Sequence, residues 1–461
     1  MPATYVSGTA PGALPLVGHA WPLMRRPLDF LRSLPAHGDL VEIRLGSVPA
    51  YVPCHPELLR QVLFDDRTFD KGGAFFARFR DVVGNGLGSC EHRDHRRQRR
   101  LVQPSFHRSR LEGYAEVMAD EAARLSASWH GGQVVDVFPA MFGLALRTVT
   151  RSLFSAHLAE ADVARLQDSF RVALSGLFRR MFVPGPVQRL PLPANRRYAR
   201  ALADLHGTVD RLVTAYRRGG QDHGDLLSTL IAAREEDGRG GLTDAEIHDQ
   251  VTTMVFGGSE TVAASLTWSL YALARHPEAA RELHAELDAV LGDRAVTPAD
   301  LPRLPRTGQV VTESLRLYPP AWLFTRVTTV PVELAGRRLP PGTTMVVSPP
   351  VVHHSPAVHA CPAEFRPDRW PADQPGRPPR EGFAIFGVGA RKCIGDVYAM
   401  TEATLTLATL CHRWRMEFAP GTDTRLPPLA TVQYPRRLLV RLSERGPAAD
   451  RRAARPCGTG G

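Results

Sequence analysis

Cys393 sits in the run Phe386-Gly387-Val388-Gly389-Ala390-Arg391-Lys392-Cys393-Ile394-Gly395, beside two cations and just before a helical run. Glycines there permit a tight turn whose backbone N–H groups converge on one atom. A helix N-terminus and adjacent cations each favour thiolate over thiol, so the segment suits an anionic sulfur. The commoner fate of a lone cysteine is to fill a turn as a small apolar group. A nucleophilic cysteine would want a histidine base and an oxyanion hole, and zinc would want further Cys or His ligands. No pattern supplies either set of companions, whereas a haem iron needs only one thiolate.

Three other groups carry possible chemistry. Gly257-Gly258-Ser259-Glu260-Thr261 places two adjacent glycines inside a helical pattern, at a cost of about 1 kcal/mol each relative to alanine. The pair signals either a kink or tight helix crossing, or something approaching the backbone beside Glu260 and Thr261. Glu313 and Arg316 are three apart, on one helix face, where they can pair; most such pairs are solvated surface contacts. His95-Arg96-Arg97-Gln98-Arg99 concentrates cations on a further helix.

The elements that must hold these residues follow from periodicity. Thr243-Asp244-Ala245-Glu246 is a capping box. Behind it, apolar residues recur at helical spacing until His276-Pro277, a helix of roughly 45 Å at 1.5 Å per residue. A second helix spans Thr307–Leu317 and ends at Pro319-Pro320; a third runs from about Cys393 to Phe418. Pro56 to Gly292 is almost wholly helical, after a helical run near Leu28 to Leu34. Leu40–Leu45 and Ala50–Pro53 read as strands around the hairpin signal Gly46-Ser47. Further strands are expected at Val330–Leu334 and Thr344–Val347, and a proline-rich loop at Ser355–Gly382. Residues 445–461 hold four arginines, one acid and no apolar cluster, and read as an unordered basic tail.

Hydrophobic residues are 43% and charged residues 23% of 461, near the averages for a globular protein with a large core. Six cysteines without CxxC spacing argue against a disulfide scaffold, a zinc ribbon or a redox dithiol. No apolar run reaches the ~18 residues of a membrane span. The first eighteen residues show no secretory leader, so a cytoplasmic protein is expected. The net charge of +10 comes almost wholly from arginine, Lys71 and Lys392 being the two lysines. That charge admits a nucleic-acid or anionic-surface reading. Residues 91–110, with seven arginines and two acids, and the tail hold most of the surplus.

Taken in order, these motifs resemble the cytochrome P450 family. Phe386-Gly-x-Gly-x-Arg391-x-Cys393-x-Gly395 is similar to its cysteine-loop signature position for position, and Glu313-Ser-Leu-Arg316 to its ExxR helix. Phe365-Arg-Pro367-Asp-Arg369-Trp370 resembles the segment whose arginine joins that pair. Gly257–Thr261 resembles the oxygen-activation motif, and His95–Arg99, ahead of Pro104 and Phe106, the helix that meets haem propionates. The resemblance spans Pro11 to Leu442. It implies a mainly α fold with small β-sheets, one domain (1–444) forming a triangular helical prism around a buried haem.

The resemblance also implies roles. Cys393 is the axial ligand of haem b, with Phe386, Gly387 and Gly395 close to the porphyrin. His95, Arg99, Arg326 and Arg391 are candidates for the propionates. His353 is a fifth, although His353-His354-Ser355-Pro356 departs from the family's usual His-Arg-Asp-Pro. Glu313, Arg316 and Arg369 form a structural network. Glu260 and Thr261 deliver protons to bound dioxygen, while electrons come from NAD(P)H through ferredoxin reductase and ferredoxin. A monomer is expected.

Positions that line the family's substrate pocket are Phe75, Phe76, Phe79, Phe178, Met181, Met254, Phe256, Gly257, Trp322, Leu323, Phe324, Leu429 and Ala430 here. As a set they imply an apolar cavity, and a charged substrate would need a buried partner. A hydrocarbon or weakly polar lipid is therefore expected. The segment Phe182–Arg197 resembles that of bacterial sesquiterpene hydroxylases, and the arginine- and alanine-rich composition fits an actinobacterial natural-product enzyme. The same chemistry could act on a polyketide, macrolide or fatty-acid-like lipid. Readings of another class are a haem protein that does not oxygenate, which the intact Glu260-Thr261 opposes, and a basic nucleic-acid-binding protein without haem. The arginines of residues 91–110 are better read as propionate partners plus a dock for an acidic ferredoxin.

Overall fold

The capping box at Thr243 starts the element around which the chain is built. Thr243 Oγ1 accepts from the Glu246 N–H, and Glu246 Oε2 accepts from the Thr243 N–H. The helix covers Asp244–Arg275, 32 residues. It stops at His276, whose helical conformation the following proline disfavours. This is a computed structural model; it describes residues 5–182, 185–219, 223–232, 242–370, 384–427 and 430–446.

The long helix is buried on nearly every face, with Val251, Val262, Ala263, Leu266 and Leu270 all inside, as expected of a helix crossing a core rather than coating one. It packs along Val137–Phe154, and also against Pro305–Leu317 and Asp396–Arg413. The two interior glycines have different causes. A Cβ on Gly258 would lie 2.6 Å from Val149 Cγ2, so the crossing with Val137–Phe154 requires glycine there. A Cβ on Gly257 would meet nothing within 4 Å, because that residue faces a cavity.

Beside the helices lies a six-stranded sheet in the order Ser7–Thr9, Leu40–Leu45, Val48–Pro53, Thr344–Val347, Phe324–Thr328 and Phe69–Asp70. Leu45 pairs with Val48 across Gly46-Ser47, where Gly46 takes φ +66. Arg326 pairs with Met345 in the centre of the sheet. Two smaller sheets complete the fold, one of Trp414–Phe418, Leu439–Glu444 and Val134–Asp136, the other of Val332–Leu334 and Arg337–Leu339.

Several expectations shift. The last helix ends at Arg413 and begins at Asp396. Trp414–Phe418 is a strand instead, paired antiparallel with Leu439–Glu444, and burial of Trp414 fixes its face. Strands at Phe69–Asp70 and Val134–Asp136 interrupt the region read as helical. The strand expected at Val330–Leu334 starts at Val332. Arg445, assigned above to an unordered tail, donates to both Asp288 carboxylate oxygens at 3.0 Å and to the Cys411 and His412 carbonyls. Residues 447–461 lie outside the described residues.

Candidate active site

The cysteine loop is closed by the Cys393 N–H donating to the Phe386 carbonyl at 2.8 Å. Gly387 and Gly389 take φ +68 and +69 within it, and a Cβ on Gly389 would press on the Phe64 backbone at 3.2 Å. Cys393 is surrounded by protein yet open to an internal cavity. Burial pushes its thiol up, while the Gly395 N–H and the charges of Arg99 and Lys392 pull it down. Burial wins, so the flanking cations alone do not make the thiolate that their proximity suggested. Lys392 is also engaged by Asp396. A thiolate here needs a positive partner facing it from the cavity.

That cavity is about 360 Å³ and continues into a neighbouring lobe of about 230 Å³, with Cys393, Phe386, Arg391, Phe256 and Thr261 lining both. Buried cations gather on its wall. Lys71 and Arg326 are wholly enclosed; burial, with neighbouring cations, brings Lys71 down to about 7 and Arg326 to about 10. Among the described residues neither has a carboxylate partner. Lys71 Nζ donates to the Leu87 and Gly88 carbonyls, and Arg326 donates to the Thr325 carbonyl and lies over Phe324. His95 is pushed down to about 3 by burial and by Arg391, Lys71 and Arg99, and is therefore neutral at neutral pH. Enclosed cations short of counter-charges fit a ligand with carboxylates. No cluster of three metal-ligating side chains occurs among the described residues, so the sulfur faces the cavity as a lone donor. These residues fit a haem.

Of the expected propionate residues, Arg391 lines the cavity but is shared with an acidic pair, and His353 is placed elsewhere. Arg391 is held by Asp66 and Asp70, each at 2.8 Å, and by the Cys90 carbonyl. It fastens the loop to the segment around residues 66–70 as well as lining the cavity. His353 does not reach the cavity: Nε2 accepts from the Ala384 N–H at 3.0 Å, and Nδ1 lies 3.2 Å from the Arg316 carbonyl. It is a buried strut between the ExxR helix and the cysteine-loop segment, since its short helix Pro349–His353 turns it inward. Arg99, by contrast, lines the cavity and donates to the Lys392 carbonyl at 2.7 Å. Lys71 was missed; its signal was that it is one of two lysines in an arginine-rich chain.

Across the cavity, Thr261 presents its side chain, with Oγ1 donating to the Gly257 carbonyl at 2.7 Å. Glu260, turned about 100° from Thr261 around the helix, is buried, with Oε2 unpartnered among the described residues, and burial pushes its carboxyl up to about 8. Phe79, Met254, Phe256 and Gly257 line the larger lobe, and Phe75, Phe76, Leu323 and Phe324 the smaller. Trp322, Ala430 and Met181 line neither; Trp322 Nε1 instead donates to the Ala430 carbonyl at 2.9 Å, fixing the wall behind. Val149, Leu153 and Ile385 are lining residues that the sequence did not single out. Leu429 and the side chain of Phe178 lie outside the described residues.

Glu313 and Arg316 form a bidentate pair at 2.8 and 2.7 Å, both fully buried. Arg369 Nε and the Trp370 indole N–H donate to the same carboxylate at 3.0 and 2.9 Å. Arg316 also donates to the carbonyls of His353, Pro362 and Glu364. So enclosed a pair holds only because every polar atom is met.

This is the architecture of a haem-thiolate oxidoreductase, with one cysteine sulfur and a threonine hydroxyl lining the same pocket. The cytochrome P450 family model matches residues 9–440, and the chain belongs to that family. It is a haem-dependent monooxygenase that uses dioxygen. The chain is 54% identical to pentalenene oxygenase of Streptomyces avermitilis over 444 residues, 96% of this chain and 99% of that protein. It is 46% identical to cyclooctat-9-en-7-ol 5-monooxygenase of Streptomyces melanosporofaciens, with 91% of each covered. The crystal structure of the cytochrome P450DA heme domain superposes with a TM-score of 0.83 at 24% identity, over 96% of this chain and 99% of that one, and shows the same fold. Among the described residues no helix is long and apolar enough to cross a membrane.

Proposed function

We propose that this enzyme inserts one oxygen atom of O2 into a cyclic terpene hydrocarbon, with Cys393 as the iron ligand. The observation that carries the substrate class is the lining of the cavity. Away from the cations, Cys393 and His95, its polar side chains are the hydroxyls of Thr253, Thr261, Ser265, Tyr398 and Thr431, set among the apolar walls of Phe79, Phe256, Val149 and Ala321. A charged substrate would lie there unpaired, at a cost of several kcal/mol, whereas a hydrocarbon loses nothing. Two relatives whose names state terpene substrates support the same reading.

The haem supplies the activation of dioxygen. Lys71 and Arg326 would hold its carboxylates, Arg99 supports the carbonyl next to Cys393, and Gly257 leaves room in the cavity. Thr261 holds the proton nearest the reaction, on a hydroxyl already oriented by the Gly257 carbonyl. Glu260, neutral at pH 7, is the proton reserve behind it. Electrons come from NAD(P)H through ferredoxin reductase and ferredoxin, which docks on the arginine-rich face in the cytoplasm. Titration with cyclic sesquiterpenes, pentalenene among them, should shift the haem from low to high spin, and labelled O2 should place label in the product. Product without label, or a spin shift given by charged lipids and not by terpenes, would refute the reading.

A further inference from the structure

Far from the haem cavity, the first 28 residues contain no acid; the first is Asp29. Within them the chain turns out a loop whose apolar side chains meet solvent. Leu14 and Gly18 exchange backbone hydrogen bonds at 3.0 and 2.8 Å, and the Val17 N–H donates to the Pro15 carbonyl at 2.8 Å. The result is a γ-turn centred on Leu16 at φ +64, the rare hand of that turn and one that a leucine adopts reluctantly. Gly18 holds the base tightly, since a Cβ there would lie 2.4 Å from the Arg44 carbonyl oxygen. The tip is Leu16, 92% exposed.

The neighbours extend one surface. Gly46 donates to the Val17 carbonyl, which brings the hairpin tip with Val48, 56% exposed, against the loop. The helix Ala20–Arg25 follows at once and exposes Trp21 and Met24. The Arg25 guanidinium stands 4.7 Å over the Trp21 ring, and Arg26 and Arg44 are exposed beside it. Scattered exposed leucines need no explanation, but six large apolar side chains joined in one arginine-edged surface do. Apolar residues and tryptophan beside arginines, in a segment without acids and next to a hairpin whose Glu42 is already paired with Arg337, are complementary to the headgroup boundary of an anionic lipid layer.

We propose that this loop–helix–hairpin surface docks the enzyme peripherally on an anionic lipid bilayer, with Leu16 and Trp21 entering the headgroup boundary and Arg25, Arg26 and Arg44 meeting phosphates. Docking of this kind needs no spanning helix. It places the protein where an apolar compound partitions, and it stands whatever the substrate proves to be.

The test is sedimentation of the haem-loaded full chain at low salt with vesicles of phosphatidylcholine containing phosphatidylglycerol, and with phosphatidylcholine alone. The protein should pellet with the first and release in high salt. Leu16→Asp should lower the bound fraction by roughly tenfold, and Arg25→Gln with Arg26→Gln by about fivefold for each arginine. Both variants should keep the wild-type spectrum of the reduced CO complex, which shows that the fold and haem site are intact. Failure of the wild-type protein to pellet with anionic vesicles would overturn the proposal. So would a dimer in size-exclusion light scattering that Leu16→Asp dissociates without any change in vesicle binding, because the surface would then belong to a second copy.

Discussion

Glu260 is a carboxylic acid kept neutral by burial. Its folded value of about 8 lies above the ordinary 4.5, so between those values the native state binds a proton that the unfolded chain has lost. The contribution of this group to stability is therefore full below about pH 4.5 and declines as pH rises toward 8. Glu260→Gln removes the titration: its melting temperature should match wild type near pH 5 and exceed it near pH 8.5, by roughly 2 °C or more. Thr261→Ala deletes the hydroxyl on the cavity and should lower the product formed per NAD(P)H consumed by about tenfold, with a matching rise in hydrogen peroxide. Lys71→Met should be neutral for folding of the apoprotein but speed haem loss to apomyoglobin, because one of two enclosed cations without a carboxylate partner is gone. Unchanged haem loss would show that Lys71 meets no propionate.

At the scale of elements, His92–Val102 presents two different faces. His95 and Gln98 turn inward, while Arg96 and Arg100 stay exposed on an open cleft next to Gly389 and Ala390 of the cysteine loop. Arg96→Glu with Arg100→Glu should cut the rate of reduction by ferredoxin about tenfold or more at low salt, lessen its salt dependence, and leave the CO spectrum as it is. The division between faces was legible, since helical periodicity sorts residues three and four apart. Other elements were less so. The capping box and Pro277 marked both ends of Asp244–Arg275, whereas nothing local ends the last helix at Arg413. Trp414–Phe418 becomes a strand only because Leu439–Glu444, far along the chain, pairs with it. Phe324–Thr328 went unread for the same reason: its partners lie at 69–70 and 344–347.

Across the whole molecule, the motifs were visible wherever covalent spacing sets the geometry, as at Phe386–Gly395 and Glu313-x-x-Arg316. What could not be read was which cations the fold would leave without acids. Arg391 lines the cavity, yet Asp66 and Asp70, over 320 residues away in sequence, hold it as well, and His353 becomes a strut through contacts with Arg316 and Ala384. Removing one partner of the enclosed pair, as in Glu313→Ala, strands the Arg316 charge and should cost about 3–5 kcal/mol. Urea unfolding of the holoprotein measures that loss, and a cost under about 1 kcal/mol would mean the pair is solvated. The same network has a kinetic corollary. Every group that seals Glu313 and Arg316 from behind comes from residues 353–370, which follow the pair by 37 to 57 positions. A nascent or refolding chain cannot dehydrate the pair until that later segment has wrapped it, so the closure must come late, after the helices have met. Trp370→Phe, which deletes one donor to the carboxylate, should then leave early helix formation unchanged and slow only the final phase of refolding, the phase in which the chain first becomes able to retain its haem.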